Sequence, residues 1–133
     1  MASALEIRRV DPFRTADVDS WWEAYASARR ADMGENALLW SLEESRTELQ
    51  QDSATTDRRA YLAVLDGDVV GSGSLALGLK DNLHSGMIGV TVPPQFRRRG
   101  IGSALLAHIE AEAVAADRRV LRGETAWPAS APA

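Results

Sequence analysis

Met87-Ile88-Gly89-Val90-Thr91-Val92-Pro93-Pro94-Gln95-Phe96-Arg97-Arg98-Arg99-Gly100-Ile101-Gly102 is the stretch whose reading decides the fold. A short, β-branched run stops at two prolines, and beyond them Ile101, Leu105, Ile109 and Ala113 recur every four residues, the period of one helix face. The predicted order is strand, turn and glycine-rich helix start. A helix start leaves its first amide hydrogens without carbonyl partners, at the positive end of the helix dipole. Gly100 and Gly102 remove the side chains that would keep an anion at a distance, so the stretch reads as a phosphate cradle.

Working back toward the amino terminus, Leu5, Ile7 and Val10 alternate with charged residues and predict a first strand closed by Asp11-Pro12. Thr15 or Asp17 then opens a helix whose Val18, Trp21, Trp22 and Tyr25 form an apolar stripe, with both tryptophans expected in the core. A polar loop from Arg30 to Asn36 leads to a second helix. There Ser41 and Glu44 have capping-box spacing, Leu42 and Leu49 face inward, and Glu43, Glu44, Arg46 and Glu48 form a solvated side. Tyr61 to Leu65, the Asp66-Gly67 turn and Val69 to Leu79 predict a hairpin. A break at Lys80-Asp81-Asn82 returns the chain into the strand that ends at Val92. The helix from Gly100 to about Asp117 precedes a short strand beginning at Val120-Leu121.

At 133 residues the chain has room for one domain with a real core. Residues 1–124 are expected to form it, and the Pro/Ala-rich residues 125–133 read as a linker or a truncated end. Apolar residues make up 45% and no apolar run approaches the roughly 20 residues that a membrane helix needs. The amino terminus lacks the basic start and apolar stretch of a secretory signal, which points to the cytoplasm. There is no cysteine, hence no thiolate chemistry, and two distant histidines make no metal site. A net charge of −4 gives no general attraction to nucleic acid or to anionic membranes. Positive charge is local instead: Lys80 is the sole lysine, and Arg97-Arg98-Arg99 concentrates guanidinium groups, whose planar fork suits phosphate oxygens.

The order β-α-α-β-β-β-α-β, with Arg97-x-x-Gly100-x-Gly102 joining the fourth strand to the third helix, resembles the GNAT superfamily of acyl-CoA-dependent N-acyltransferases. The string Val90 to Leu106 is similar to that family's motif A. The fold class implied is α/β in the layered α+β sense, a mixed, mostly antiparallel sheet flanked by helices, truncated here after the fifth strand. The resemblance implies that the turn headed by Arg97 holds the pyrophosphate of acetyl-CoA through the amides of Arg98, Arg99, Gly100, Ile101, Gly102 and Ser103. It implies too that backbone groups at Val90 and Val92 bond the pantetheine arm. The activity implied is acyl transfer from acetyl-CoA to an unidentified primary amine by direct attack.

Such an attack needs a deprotonated amine, and an alkyl ammonium has an ordinary pKa near 10.4. Family members carry a glutamate early in the fourth strand for this purpose; the matching position here is Gly86. His84 is the candidate substitute, with Asp81 acting through water as another. Neither Tyr25 nor Tyr61 stands where the family's proton-donating tyrosine belongs, since the resembling proteins continue past the fifth strand with a further helix and a hairpin. The alternative reading is therefore an incomplete CoA-binding half-domain with a structural role. The edge strand near Val120 is expected to invite pairing, as a homodimer or with a missing carboxyl-terminal portion.

Three other features take ordinary readings. Gly71-Ser72-Gly73-Ser74 imitates a dinucleotide fingerprint in letters but sits inside a strand, where small residues permit close approach. His108 is a packing or surface histidine of the third helix. The loop from Arg30 to Asn36 is a candidate for acceptor selection, because this connection lines the acceptor site in the resembling family.

Overall fold

The computed structural model describes residues 4–34 and 39–123, so the reading of 125–133 as a linker or cut end lies outside the described residues. Its sheet runs β1 (Leu5–Arg9), β2 (Thr56–Leu65), β3 (Asp68–Gly78), β4 (Ser85–Thr91) and β5 (Val120–Gly123), each strand beside the next. The first four are antiparallel neighbours; β5 pairs in parallel with β4, from Ser85↔Val120 to Ile88↔Gly123. Helices α1 (Thr15–Met33), α2 (Leu42–Gln50) and α3 (Ile101–Ala115) flank the sheet. The element order is the one expected, with α3 as the crossover that a parallel pair requires.

Asp66 and Gly67 have φ of 52° and 86°, the paired positive values of a two-residue hairpin turn matched to strand twist. Several boundaries differ from the sequence reading. β2 starts at Thr56, well before Tyr61, because Asp57 and Arg59 bond each other and sit opposite Leu77 and Leu75 in the ladder. β4 starts at Ser85, where the preceding turn is clamped by Arg118: this largely buried guanidinium donates to the carbonyls of Gly78, Asn82 and Ser85. α1 continues through Met33, so Arg30, Asp32 and Met33 belong to a helix, not to a loop; Gly34 (φ 59°) is its C-cap, and Glu35 and Asn36 of the expected loop lie outside the described residues.

Side chains alternate between the two faces of the sheet. Toward α3 lie Tyr61, Ala63, Leu75, Leu77 and Ile88, packed against Ile101, Leu105, Ile109 and Ala113. On the other face Val10, Val18, Ala60 and Leu62 gather the partly buried Trp21, Leu42 and Leu49. α3 approaches β3 closely, since a Cβ at Gly73 would stand 2.6 Å from Ile109 Cδ1 and one at Gly71 3.0 Å from Leu105 Cδ1. The small residues of β3 thus serve helix packing.

The tryptophans of α1 are half-buried, not core as expected. The buried residues of the helix are Asp17, Val18, Ala24, Ala26 and Ala28, whose modest size lets it lie near the sheet. An indole N–H must keep a polar partner, and Trp21 Nε1 donates to Gly73 O at 2.9 Å while Trp22 Nε1 donates to Trp40 O at 2.8 Å. Asp17 does not cap the helix either. Both its oxygens accept from the Arg8 guanidinium, at 3.0 and 3.1 Å. On α2 the Ser41 half of the capping box forms as read, Ser41 Oγ accepting from the Glu44 amide at 3.1 Å, while Glu44 Oε1 accepts from the Ser41 hydroxyl at 3.0 Å in place of the Ser41 amide.

Tyr61, fully buried, donates its hydroxyl to Glu112 Oε1 of α3 at 2.8 Å, with the His108 ring edge-on at 5.6 Å. Burial foremost, then the bond and the charge of Glu112, push the phenol up to about 12 against the opposing Arg59 cation. Because the folded-state value lies above the ordinary 10.0, the folded chain keeps a proton that the unfolded chain loses. Stability is expected to fall as pH rises from 10 toward 12. Denaturant unfolding across this range checks the slope, and Tyr61→Phe should flatten it.

Candidate functional site

β4 ends at Thr91, and the chain then reverses through Pro93 and a short 3-10 turn, Pro94–Phe96. The amides of Phe96 and Arg97 donate to the carbonyls of Pro93 and Pro94, at 3.0 and 3.2 Å. Arg98 follows with φ 66° and Gly100 with φ 78°, so two left-handed residues within three positions aim the backbone at the start of α3. Left-handed backbone is strained for a side chain such as arginine. Gly100 occupies the N-cap with no side-chain capping bond, and the first turn of α3 holds no acidic residue. The leading amides of a 15-residue helix are thereby left to an external acceptor.

A groove of about 350 Å³ opens there, lined by Val92, Phe96, Arg97, Arg98, Gly100, Ile101, Gly102 and Ser103. Arg98, Gly100 and Ser103 are exposed, whereas the Ile101 side chain lies in the core, so Ile101 presents only its backbone. A Cβ at Gly102 would stand 3.7 Å from Val92 Cγ2 and 3.9 Å from Val90 Cγ1, which places Val90 and Val92 directly against the helix start. Arg99 is exposed and outside the groove lining.

Arg97 differs from its two neighbours. Its guanidinium makes a bidentate pair with Asp32, at 2.8 and 2.9 Å, while Nε donates to Val92 O at 2.8 Å. The sequence reading placed Asp32 in a candidate acceptor loop, and its pairing with Arg97, 65 residues away, went unread. A usable signal existed, since Asp32 continues the sheet-facing series Ala24, Ala28 by one further turn, where an apolar residue would be expected.

Along β4 the carbonyls of Gly89 and Thr91 face β3, each 3.3 Å from where a Cβ of Gly73 or Gly71 would stand, whereas Ile88 O lies beside Gly123 of β5. Alternation therefore turns the Val90 backbone to the β5 side, two residues beyond the last described pair, Ile88↔Gly123. Among the described residues, no strand pairs with β4 there.

His84 is exposed in the turn before β4, and its carbonyl accepts from the amides of Arg119 and Val120 at 2.8 and 3.0 Å. It is not brought to the cradle: eight residues of extended chain separate it from Val92, roughly 26 Å at the usual strand rise. Asp81 shares that exposed turn. Gly86 acquires a structural meaning. A Cβ at 86 would meet the side chains of Leu75, Leu77 and Leu121 at 3.3 to 3.4 Å, so this position faces the α3-side core and a side chain there would press on those leucines. Among the described residues, no cluster of His, Asp and Glu is arranged to hold a metal ion, and no helix is long and apolar enough to cross a membrane.

The sequence model of the Acetyltransferase (GNAT) family matches residues 18–125. No curated protein matches the sequence. Among solved structures, a tandem GNAT protein from the clavulanic acid biosynthesis pathway superposes with a TM-score of 0.78 at 26% identity, covering 98% of this chain and 39% of that one. An aminoglycoside N-acetyltransferase in complex with CoA gives 0.67 at 17% identity, covering 95% and 80%. An aminoglycoside acetyltransferase from an uncultured soil metagenomic sample, in complex with sisomicin, gives 0.69 at 14%, covering 92% and 78%.

The two glycines of the turn should respond differently to alanine. Gly100 has open space for a Cβ but a φ of 78°, so Gly100→Ala should lower stability by about 1–2 kcal/mol through backbone strain alone. Gly102→Ala meets ordinary contacts in a helix and should be neutral or stabilising by up to about 1 kcal/mol. Thermal unfolding of the two variants measures the difference.

Proposed function

Since the chain belongs to the Acetyltransferase (GNAT) family, we propose that it binds acetyl-CoA at the turn from Arg97 to Ser103 and transfers the acetyl group to a primary amine. The observation that carries this reading is the uncapped start of α3 behind two left-handed residues, opening on a groove with exposed arginines and no acidic residue in the first helical turn. Such a site fits a pyrophosphate: the amides of Arg98, Arg99, Gly100, Ile101, Gly102 and Ser103 supply short-range donors, and Arg98 and Arg99 supply charge. The β5-side edge of β4 at Val90, together with Val92, offers backbone donors and acceptors to an amide-bearing arm laid alongside like a strand. Acetyl-CoA when bound supplies an activated thioester; the chain's task is to place it and to receive the amine beside it.

A proton must leave the amine. With position 86 facing the core, the acceptor of that proton comes from the turn before β4 or from the face toward α1. His84 is our candidate, an exposed imidazole on a turn held by Arg118 and by the amides of Arg119 and Val120. The acceptor class is a small-molecule or protein primary amine. Aminoglycosides such as sisomicin, bound by one solved neighbour, are the first to test.

Calorimetric titration with CoA and thiol release across an amine panel test the two halves of the proposal. Saturable binding is expected, and Gly102→Leu, which fills the groove beside Val92, should weaken it at least about tenfold. His84→Ala should lower turnover and leave binding intact. Binding without turnover on any amine favours the reading as a CoA-binding domain without catalysis.

A further inference from the structure

We infer that Arg97 serves the acyl-CoA site as a positioning residue rather than as a phosphate ligand, and that Asp32 of α1 is the other half of the brace. This rests on the acetyl-CoA reading of the turn. A free arginine at the head of a phosphate cradle would be expected to reach the anion itself. Here the fork is already committed: two parallel bonds run to the two oxygens of Asp32, at 2.8 and 2.9 Å, and Nε donates to Val92 O at 2.8 Å. One side chain thereby ties the last turn of α1 to the end of β4 and to the first residue of the cradle.

The tie sits directly before the strained residue of the turn. Arg98 is left-handed at φ 66°, a conformation that an arginine holds only when its surroundings impose it. Immediately before it, Arg97 is held twice, its amide by Pro94 O and its side chain by Val92 O. Val92 itself lies against Gly102 at the helix start. Releasing Arg97 frees the turn at the point where its amides are aimed. The carboxylate of Asp32 also cancels the Arg97 charge, so the positive field at the groove comes from Arg98, Arg99 and the helix start. A phosphate drawing Arg97 away would have to replace a bidentate carboxylate and break a backbone bond as well.

Two roles for Arg97 make opposite predictions for Asp32. As a brace, Asp32→Ala and Arg97→Ala each weaken binding of desulfo-CoA by about threefold to fivefold, the span of an exposed bidentate pair. The double variant is then no weaker than Arg97→Ala alone, because both remove one interaction. Arg97→Lys, which keeps the charge and loses both the fork and the Nε bond, falls with Arg97→Ala. As a phosphate ligand, Arg97 released by Asp32→Ala would bind as tightly as before or tighter, and Arg97→Lys would retain most of the affinity. Either of these results overturns the inference. Both residues of the pair are substantially exposed, and a thermal midpoint for each variant separates loss of the site from loss of the fold. Wild-type chain that fails to bind CoA removes the acetyl-CoA reading and the brace together; binding that Asp32→Ala leaves unchanged removes only the brace.

Discussion

The close seating of α3 on β3 is the constraint on which the rest of the structure depends. Ile101, Leu105 and Ile109 press onto Gly71 and Gly73, where even a methyl group would force a shift. A helix held that near the sheet has little freedom to slide or tilt, and protein interiors tolerate few gaps. Its first turn is therefore fixed relative to the end of β4, and Val90 and Val92 come to lie under Gly102. A phosphate cradle made of backbone amides works only if the amides keep their direction. In this chain the direction is set by hydrophobic packing that begins at Ile101, inside the turn itself, and by the Arg97 bonds beside it.

The three consecutive arginines look equivalent in the sequence and are not so in space. Arg97 is neutralised by Asp32 and bonded to the backbone, Arg98 sits in a left-handed conformation on the groove, and Arg99 lies outside its lining. Counting charges would assign three cations to the anion. Geometry divides them into a tie, a wall of the groove and an outlying charge. The distinction arises because one carboxylate distant in sequence is enough to occupy the fork of an arginine that could otherwise bond a phosphate.

The readable features of the sequence were those carried by local rules. The i, i+4 series Ile101, Leu105, Ile109, Ala113 gives the buried stripe of α3, Asp66-Gly67 gives the hairpin, and Ser41 with Glu44 gives the cap of α2. The site was legible as far as it is built from the turn itself, because Gly100 and the helix start are local signals. Features that depend on partners distant in sequence were not legible. Asp17 answers Arg8 across nine residues, which is why it is not a cap. Asp32 answers Arg97, so α1 extends where the charged letters suggested a loop. The tryptophans of α1 are half-buried, Trp21 at the margin of the core, because their N–H groups bond to carbonyls and the alanines take the fully packed positions. Position 86 is the clearest case. Its identity suggested a lost catalytic group, yet sheet parity, which only the register reveals, turns it toward Leu75 and Leu77.

That parity also limits the chemistry available along β4. Gly86, Ile88, Val90 and Val92 face α3, and their side chains are committed to packing or to the floor of the helix start. Ser85, Met87, Gly89 and Thr91 face the other way, toward α1, and Thr91 is already bonded to Ser72 at 2.8 Å. A ligand lying along the strand can thus use its backbone edge, and a reacting group can come only from the α1 side or from the turns at its two ends. Both ends are pinned by arginines acting on carbonyls: Arg97 on Val92, and Arg118 on Gly78, Asn82 and Ser85. β4 consequently acts as a ruler of fixed length between the cradle and the turn that carries His84. On the proposed acetyl-CoA reading, an acyl group laid along β4 meets its acceptor at a distance from the cradle that the strand determines and the ligand does not.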